Sequence, residues 1–380
     1  MDEDSIILVK DGISQYSIVY SSAKPNASGL GDFIAHSTGV SLPLVLDKAG
    51  TSEFEILVGD CSRSECAEVL GDLSGTFGYS ARVVGNKLVV VGSDVTWTAF
   101  GLRALVKKLT AECLDGQNLT VPRDLEVKQL DNNPQMIARL IRQNYEFSIS
   151  PVHVLTQAPV GDIYVAQGAA ADGKYFYLVM RNSGDGKAVV FKYDIKSKSL
   201  VGQSEEFDGG HCNDMTYDDF RNQVIVAHGQ SQGKILTPLD AETLAVQPNI
   251  TIPVGSGAIT FNASRSSYAI SQGASTFYVT DRDFKVQLSG KRSDSTGYTA
   301  QGMGSDDSYV YFPMSGSKDN ILVVYDWEGH FISTITVPLA IESESMFYTA
   351  GRYYVAFYEG SKTGGSIYEI KPVHYYTYSR

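Results

Sequence analysis

The 380-residue sequence lacks most of the features that announce a chemistry. It has no apolar run approaching the ~20 residues that a membrane-spanning helix needs, so membrane insertion is not expected. There is no Lys/Arg cluster, and the formal net charge is -12. That excess of acid repels nucleic acid and anionic lipid surfaces alike. Cysteine is scarce: Cys61, Cys66, Cys113 and Cys212 are irregularly spaced, with no Cys-x-x-Cys pair. A zinc site is therefore not expected, and whether Cys61 and Cys66 pair stays open. No His-Glu-x-x-His occurs, which removes one common hydrolase signature. No signal peptide is visible at Met1-Asp-Glu-Asp, an opening that reads either as a start added on cloning or as a trimmed mature end.

Tyrosine, by contrast, is plentiful. The 23 tyrosines suit strands and are also a common means of holding sugars or flat ligands. Along the first third, short β-rich runs (residues 5–9 and 16–21) precede a helical stretch, 26–39, with Gly39 as its stop. Glu55-Ile-Leu-Val-Gly-Asp60 reads as a strand and 64–73 as a helix. Residues 79–84 and 87–92 form a hairpin over Gly85-Asn86, a dipeptide that accepts positive φ. Residues 96–109 are the longest amphipathic helix, with Phe100, Leu102, Leu105, Val106 and Leu109 on one face. This is a small α/β domain, residues 1–131.

The order and several segments resemble the non-catalytic N-terminal domain that precedes the barrel in β-hexosaminidases and α-glucuronidases. The resemblance rests on Gly39-Val-Ser-Leu-Pro-Leu, Ile56-Leu-Val-Gly-Asp60, the segment from Gly78 to Gly92, and the small-residue helix entry Thr98-Ala-Phe-Gly-Leu. It covers about 110 residues and implies an accessory module without chemistry of its own. No (β/α) barrel follows, so the reaction of those enzymes is not carried over. What the resemblance does imply is a bacterial protein of carbohydrate metabolism, extracellular or at the cell surface.

Beyond residue 160 helical periodicity gives way to strands of four to seven residues. A unit recurs at Gln167, Asn213, Gly257, Gln301 and Glu344, in steps of 46, 44, 44 and 43 residues. Each start is followed by a turn and a second, more hydrophobic strand. A third strand then runs into Asp194, Asp240, Asp281 or Asp326 in the first four units, and a clear fourth strand follows in the first, second and fourth. Four strands per ~44 residues is the requirement of a propeller blade. The expected C-terminal fold is an all-β five-bladed β-propeller over residues 132–380, with a flat sandwich as the competing architecture. Residues 375–378 or 145–155 would supply the strand missing from the fifth unit.

The leading residues of the inner strands ring one mouth of such a propeller. The expected ligand-binding set is Gln167, His211, Asn213, Asp214, Gln301, Glu342 and Glu344, and Gly257 completes the ring. Amides, an imidazole and carboxylates suit hydrogen bonding to sugar hydroxyls; calcium or ordered water are alternative occupants, and no cofactor is expected. The expected function is non-catalytic binding of a glycan or similar polar small molecule. Two alternatives stay open: a glycoside hydrolase using Asp214 with Glu342 or Glu344, and a structural or protein-binding propeller. Gly168-Ala-Ala-Ala-Asp-Gly-Lys174 has phosphate-loop spacing, but Tyr175 replaces the required Ser/Thr and no helix follows, so it reads as a blade turn. Four Asn-x-Ser/Thr triplets, at Asn26, Asn118, Asn249 and Asn262, are common by chance.

Overall fold

The computed structural model describes residues 4–229, 233–273, 275–292 and 297–379. It divides into two compact units: Met1–Pro134 with Tyr145–Phe147 and Val373–Arg380, and Gln135–Asn144 with Ser148–Pro372.

The first unit contains β1 (Ser5–Val9), β2 (Ser17–Tyr20), α1 (Lys24–Thr38), β3 (Leu44–Leu46), β4 (Glu55–Val58) and α2 (Ser64–Gly71). Next come β5 (Phe77–Val84), β6 (Lys87–Gly92), α3 (Val95–Glu112), β7 (Leu114–Asp115), β8 (Asn118–Pro122) and β9 (Glu126–Asp131). Its main sheet runs β3-β2-β4-β6-β5-β9, parallel from β3 to β6 and antiparallel beyond. Strand alternation explains the two faces. Ile18, Ile56, Leu88 and Val90 point to one side, against Leu30, Phe33, Leu102 and Leu105 of α1 and α3. Val19, Leu57, Val89 and Val91 point to the other, against Cys66 and Val69 of α2. A strand covered on both faces needs a continuous apolar run, and β4 and β6 have one. Asp94 caps α3 by accepting from the Trp97 N–H at 2.9 Å. Gly92 is required at the entry to α3, because a Cβ there would lie 2.2 Å from the Thr98 nitrogen. Cys61 and Cys66 are free thiols.

The first unit is not continuous in sequence. The chain returns to the first unit at its end: Tyr376 is buried in that core, its N–H donates to Asn26 Oδ1 at 2.6 Å, and His374 stacks on Tyr145 at 4.8 Å. Asn26 is itself wholly buried, so its triplet presents no exposed acceptor.

The second unit is mostly β and of propeller type. After α4 (Met136–Arg142) and β10 (Ser148–Gln157) come five groups of strands. The first is β11 (Val165–Ala171), β12 (Tyr175–Arg181), β13 (Lys187–Asp194) and β14 (Leu200–Gln203), with β15 (Phe207–Asp208) beside β13. The second is β16 (Asp214–Asp218), β17 (Gln223–Ala227), β18 (Ile235–Asp240) and β19 (Ile250–Thr251). The third is β20 (Ala258–Asn262), β21 (Ser267–Gln272), β22 (Thr276–Thr280) and β23 (Val286–Lys291). The fourth is β24 (Thr299–Ala300), β25 (Gly304–Ser305), β26 (Tyr309–Ser315), β27 (Asn320–Asp326) and β28 (Phe331–Val337). The last is β29 (Glu342–Thr349), β30 (Arg352–Tyr358) and β31 (Gly365–Val373), with β10 as its outer strand. Residues 145–155, not 375–378, therefore supply most of the missing strand. A fourth strand exists in the third group, where the sequence showed none. The innermost strands touch in a closed cycle, β11 to β16 to β20 to β25 to β29 and back to β11.

The turns explain the period. Asp172 accepts from the Lys174 and Tyr175 N–H groups, Asp218 from Phe220 and Arg221, and Asp306 from Ser308 and Tyr309. A short acid that satisfies its own turn is favoured here over any apolar residue. The same device closes the third strand at Asp194, Asp240, Asp281 and Asp326.

Candidate axial site

Three of the five inner strands break their regular pairing at the repeat's leading residue. Register shifts fall between Ala166 and Gly168 and between Ser343 and Ser345, leaving Gln167 and Glu344 as the extra residues of two β-bulges. In the fourth group the strand is interrupted from Gln301 to Met303, between β24 and β25. A bulge re-aims a side chain out of the pleat. Gln167 and Glu344 thereby meet across neighbouring sheets, Gln167 Nε2 donating to Glu344 Oε2 at 3.3 Å. Both are at least 95% buried (5% and 3% exposed). Gln167 Nε2 also donates to Ala166 O at 2.9 Å, while Gln167 Oε1 is buried and has no partner.

Burial, and next the charge of Glu342, push the Glu344 carboxyl well above the usual range; the Arg181 cation pulls the other way. Glu342 is exposed and accepts from Gln301 Nε2 at 3.0 Å. His211 is half-buried, and desolvation together with Arg181 lowers its pKa, favouring the neutral ring. Asn213 donates to Gly257 O. Hydrogen bonds and electrostatic contacts thus link Gln167, Glu344, Gln301, Glu342 and His211 with Arg181.

Arg181 and Tyr358 were not foreseen. They end the second strands β12 and β30, where Arg181 pairs with Val165 and Tyr358 with Glu342. Arg181 Nε is buried without a partner. The available signal was a strand of six apolar residues ending in Arg, but attention to inner strands alone passes over it.

Asp214 occupies a different place. It is wholly buried, and its carboxylate accepts four hydrogen bonds. Oδ2 takes the Ile259 and Met303 N–H groups at 3.0 and 2.8 Å. Oδ1 takes the Met215 N–H at 2.9 Å and the Ser345 hydroxyl. The Ser345 hydroxyl also lies 3.3 Å from Ala169 O. One aspartate and one serine so join all five sheets. Space around Asp214 is filled: a Cβ on Gly302 would lie 2.8 Å from its Oδ1, and one on Gly168 would lie 2.6 Å from its backbone carbon. Burial raises its pKa to about 7 against the lowering effect of those hydrogen bonds.

Among the described residues no group of three or more His, Cys, Asp or Glu is arranged to hold a metal ion, and no helix is long and apolar enough to cross a membrane. Trp97 and Trp327 are both buried packing residues, and Trp327 donates to Asp306 O at 3.0 Å.

No family model and no curated protein matches the sequence. Among solved structures, a glutaminyl cyclase from Myxococcus xanthus is similar over 60% of this chain and 98% of its own, at 8% identity and a TM-score of 0.42. A GH43_1 enzyme from Xanthomonas citri is similar over 62% and 92%, at 10% identity and a TM-score of 0.39. A luciferin-regenerating enzyme matches over 61% and 98%, at 8% identity and a TM-score of 0.39. Likeness at this level leaves the chemistry of the site to its own residues.

Proposed function

We propose that the second unit is a five-bladed propeller whose axial mouth binds a neutral, hydroxyl-rich ligand, a glycan or polyol, without turning it over. The observation that carries this reading is the Gln167–Glu344 pair. A protonated Glu344 offers a buried O–H donor, and Gln167 Oε1 is a buried acceptor without a partner. A hydroxyl group is both acceptor and donor, so one hydroxyl meets both needs. Orphaned buried polar atoms are costly, by about 1–3 kcal/mol each, and a ligand that satisfies them recovers that cost. Arg181 Nε adds a further unmet donor at the same mouth.

Binding is favoured over hydrolysis because all of Asp214's engagement is internal. Four donors already occupy its two oxygens, leaving it nothing with which to meet a scissile bond. The resemblance of the first unit to a glycosidase accessory domain, and an extracellular or cell-surface location, belong to the same proposal. A hydrolase reading draws on one specific observation, a Glu344 carboxyl whose pKa is raised by burial and by Glu342 two residues away, an environment that suits an acid catalyst.

A glycan-array screen followed by calorimetric titration tests both readings. We expect a neutral oligosaccharide or polyol to bind, Gln167→Ala to weaken it about tenfold or more, and no new reducing ends to appear. An array without a binder, or a binder that Gln167→Ala leaves untouched, overturns the binding site. Release of sugar that Glu344→Gln abolishes would replace it with the hydrolase.

A further inference from the structure

The first unit carries a cavity of about 280 Å³ against β1 and the tight turn that follows it. Lys10 and Ile13 exchange both backbone hydrogen bonds around Asp11 and Gly12, which have φ of 51° and 76°. The walls are apolar. Ile6 and Tyr16 are buried, Phe54 meets Tyr16 edge-on at 5.5 Å, and Ile13 stands 71% exposed at the rim.

The charged side chains that line the cavity have one sign, with Glu53 set behind them, where it accepts from Asn86 Nδ2 at 2.6 Å. Lys10 and Arg123 line it, and no described Asp or Glu does, in a chain with 43 acidic residues against 31 basic ones. Arg123 is held in position by donating to Gly85 O and, at 2.9 Å, to Asn86 Oδ1. The Tyr16 hydroxyl donates to Asn86 O at 2.8 Å, and burial pushes its pKa up to about 12, so it adds no negative charge. Ser5 Oγ is shielded from solvent and has no hydrogen-bond partner. An apolar cleft with a few convergent polar groups is the usual form of a small-molecule site.

We propose that this cavity binds a small amphipathic monocarboxylate, its aryl or medium-chain alkyl tail against Ile6, Tyr16 and Phe54 and its carboxylate between Lys10 and Arg123. The tail gains by leaving water. Two cations beside a low-dielectric wall favour an anion over its neutral isostere. The Ser5 hydroxyl supplies a donor that the protein itself does not use.

Calorimetric titration of the full chain with octanoate and with 3-phenylpropionate, at low salt, tests the assignment. Octanamide serves as the neutral isostere. Lys10 is exposed, so Lys10→Gln leaves the core intact, and its circular dichroism spectrum is compared with the parent. At least one carboxylate is expected to bind, with octanamide and Lys10→Gln each weaker by about tenfold. Ile13→Asp, which sets a like charge at the rim, is expected to weaken binding further. No heat from either carboxylate at millimolar concentration overturns the proposal. So does octanamide matching octanoate, or Lys10→Gln binding as well as the parent.

Discussion

Two buried acids of the ring answer differently to the same substitution. Asp214→Asn places an N–H₂ group where a carboxylate oxygen now accepts two hydrogen bonds, leaving buried N–H groups facing a donor. The expected cost is about 2–5 kcal/mol in urea unfolding at pH 7, and a loss below about 1 kcal/mol would mean that Asp214 does not hold the sheets together. Glu344→Gln instead removes a titration. A carboxyl whose folded pKa is raised keeps its proton where the unfolded chain has lost it. Its stabilising contribution is complete below about pH 4 and is lost as pH rises toward the folded value. Asp214, raised to about 7, acts with the same sign. Stability should therefore fall from about pH 4 to pH 7, by up to about 1.4 kcal/mol per pH unit for each proton fully engaged. Glu344→Gln should flatten that fall, and parallel stability–pH curves for the two proteins would count against a neutral, buried Glu344.

Strands carry the repeat, and their turns made it legible. Asp172, Asp218 and Asp306 recur because a β-turn rewards an acid that caps its own N–H groups, so the spacing of acids revealed the spacing of sheets. The direction of side chains was not legible. Simple alternation puts Glu342 and Glu344 on one face, but the bulge at Glu344 shifts the phase by one residue, exposing the first and burying the second. Likewise α4 escaped notice, because seven residues give too few turns to show a periodic face. Links between neighbouring sheets were equally hidden, being long-range. The Tyr353 hydroxyl on β30 donates to Asp306 Oδ2 at 2.7 Å, beside that of Tyr311 at 2.6 Å. Tyr353→Phe removes one donor from a buried carboxylate and should cost about 1–3 kcal/mol. Asp194→Ala, in an exposed turn, should cost less. Equal unfolding midpoints for the two variants would deny the Asp306 cluster its role in joining the sheets.

For the molecule as a whole, sequence order and structural membership part company at the C-terminus. Residues 132–380 read as one continuous domain because strand periodicity runs almost to Ile370. Yet Val373–Arg380 packs with the first unit. No local pattern announces this, since the reason lies some 350 positions away in sequence, where Asn26 Oδ1 meets the Tyr376 N–H (|i−j| = 350). Asn26 is fixed from its other end by donating to Val95 O at 3.1 Å, at the start of α3. The tail thereby ties α1 to α3. A Cβ on Gly29 would lie 2.5 Å from Tyr376 O, so α1 is shaped to admit the tail at that point. Ending the chain at Pro372 should leave a buried amide in Asn26 half-satisfied and expose the pocket of Tyr376, 4% exposed when in place. The expected loss is about 3–5 kcal/mol, combining an aromatic truncation with an unmet hydrogen bond. It should fall on the first unit: amide hydrogen exchange would quicken in α1 and α3, while β12, β17 and β27 keep their protection. Faster exchange spread evenly through both units, or none at all, would show that the tail does not belong to the first unit's core.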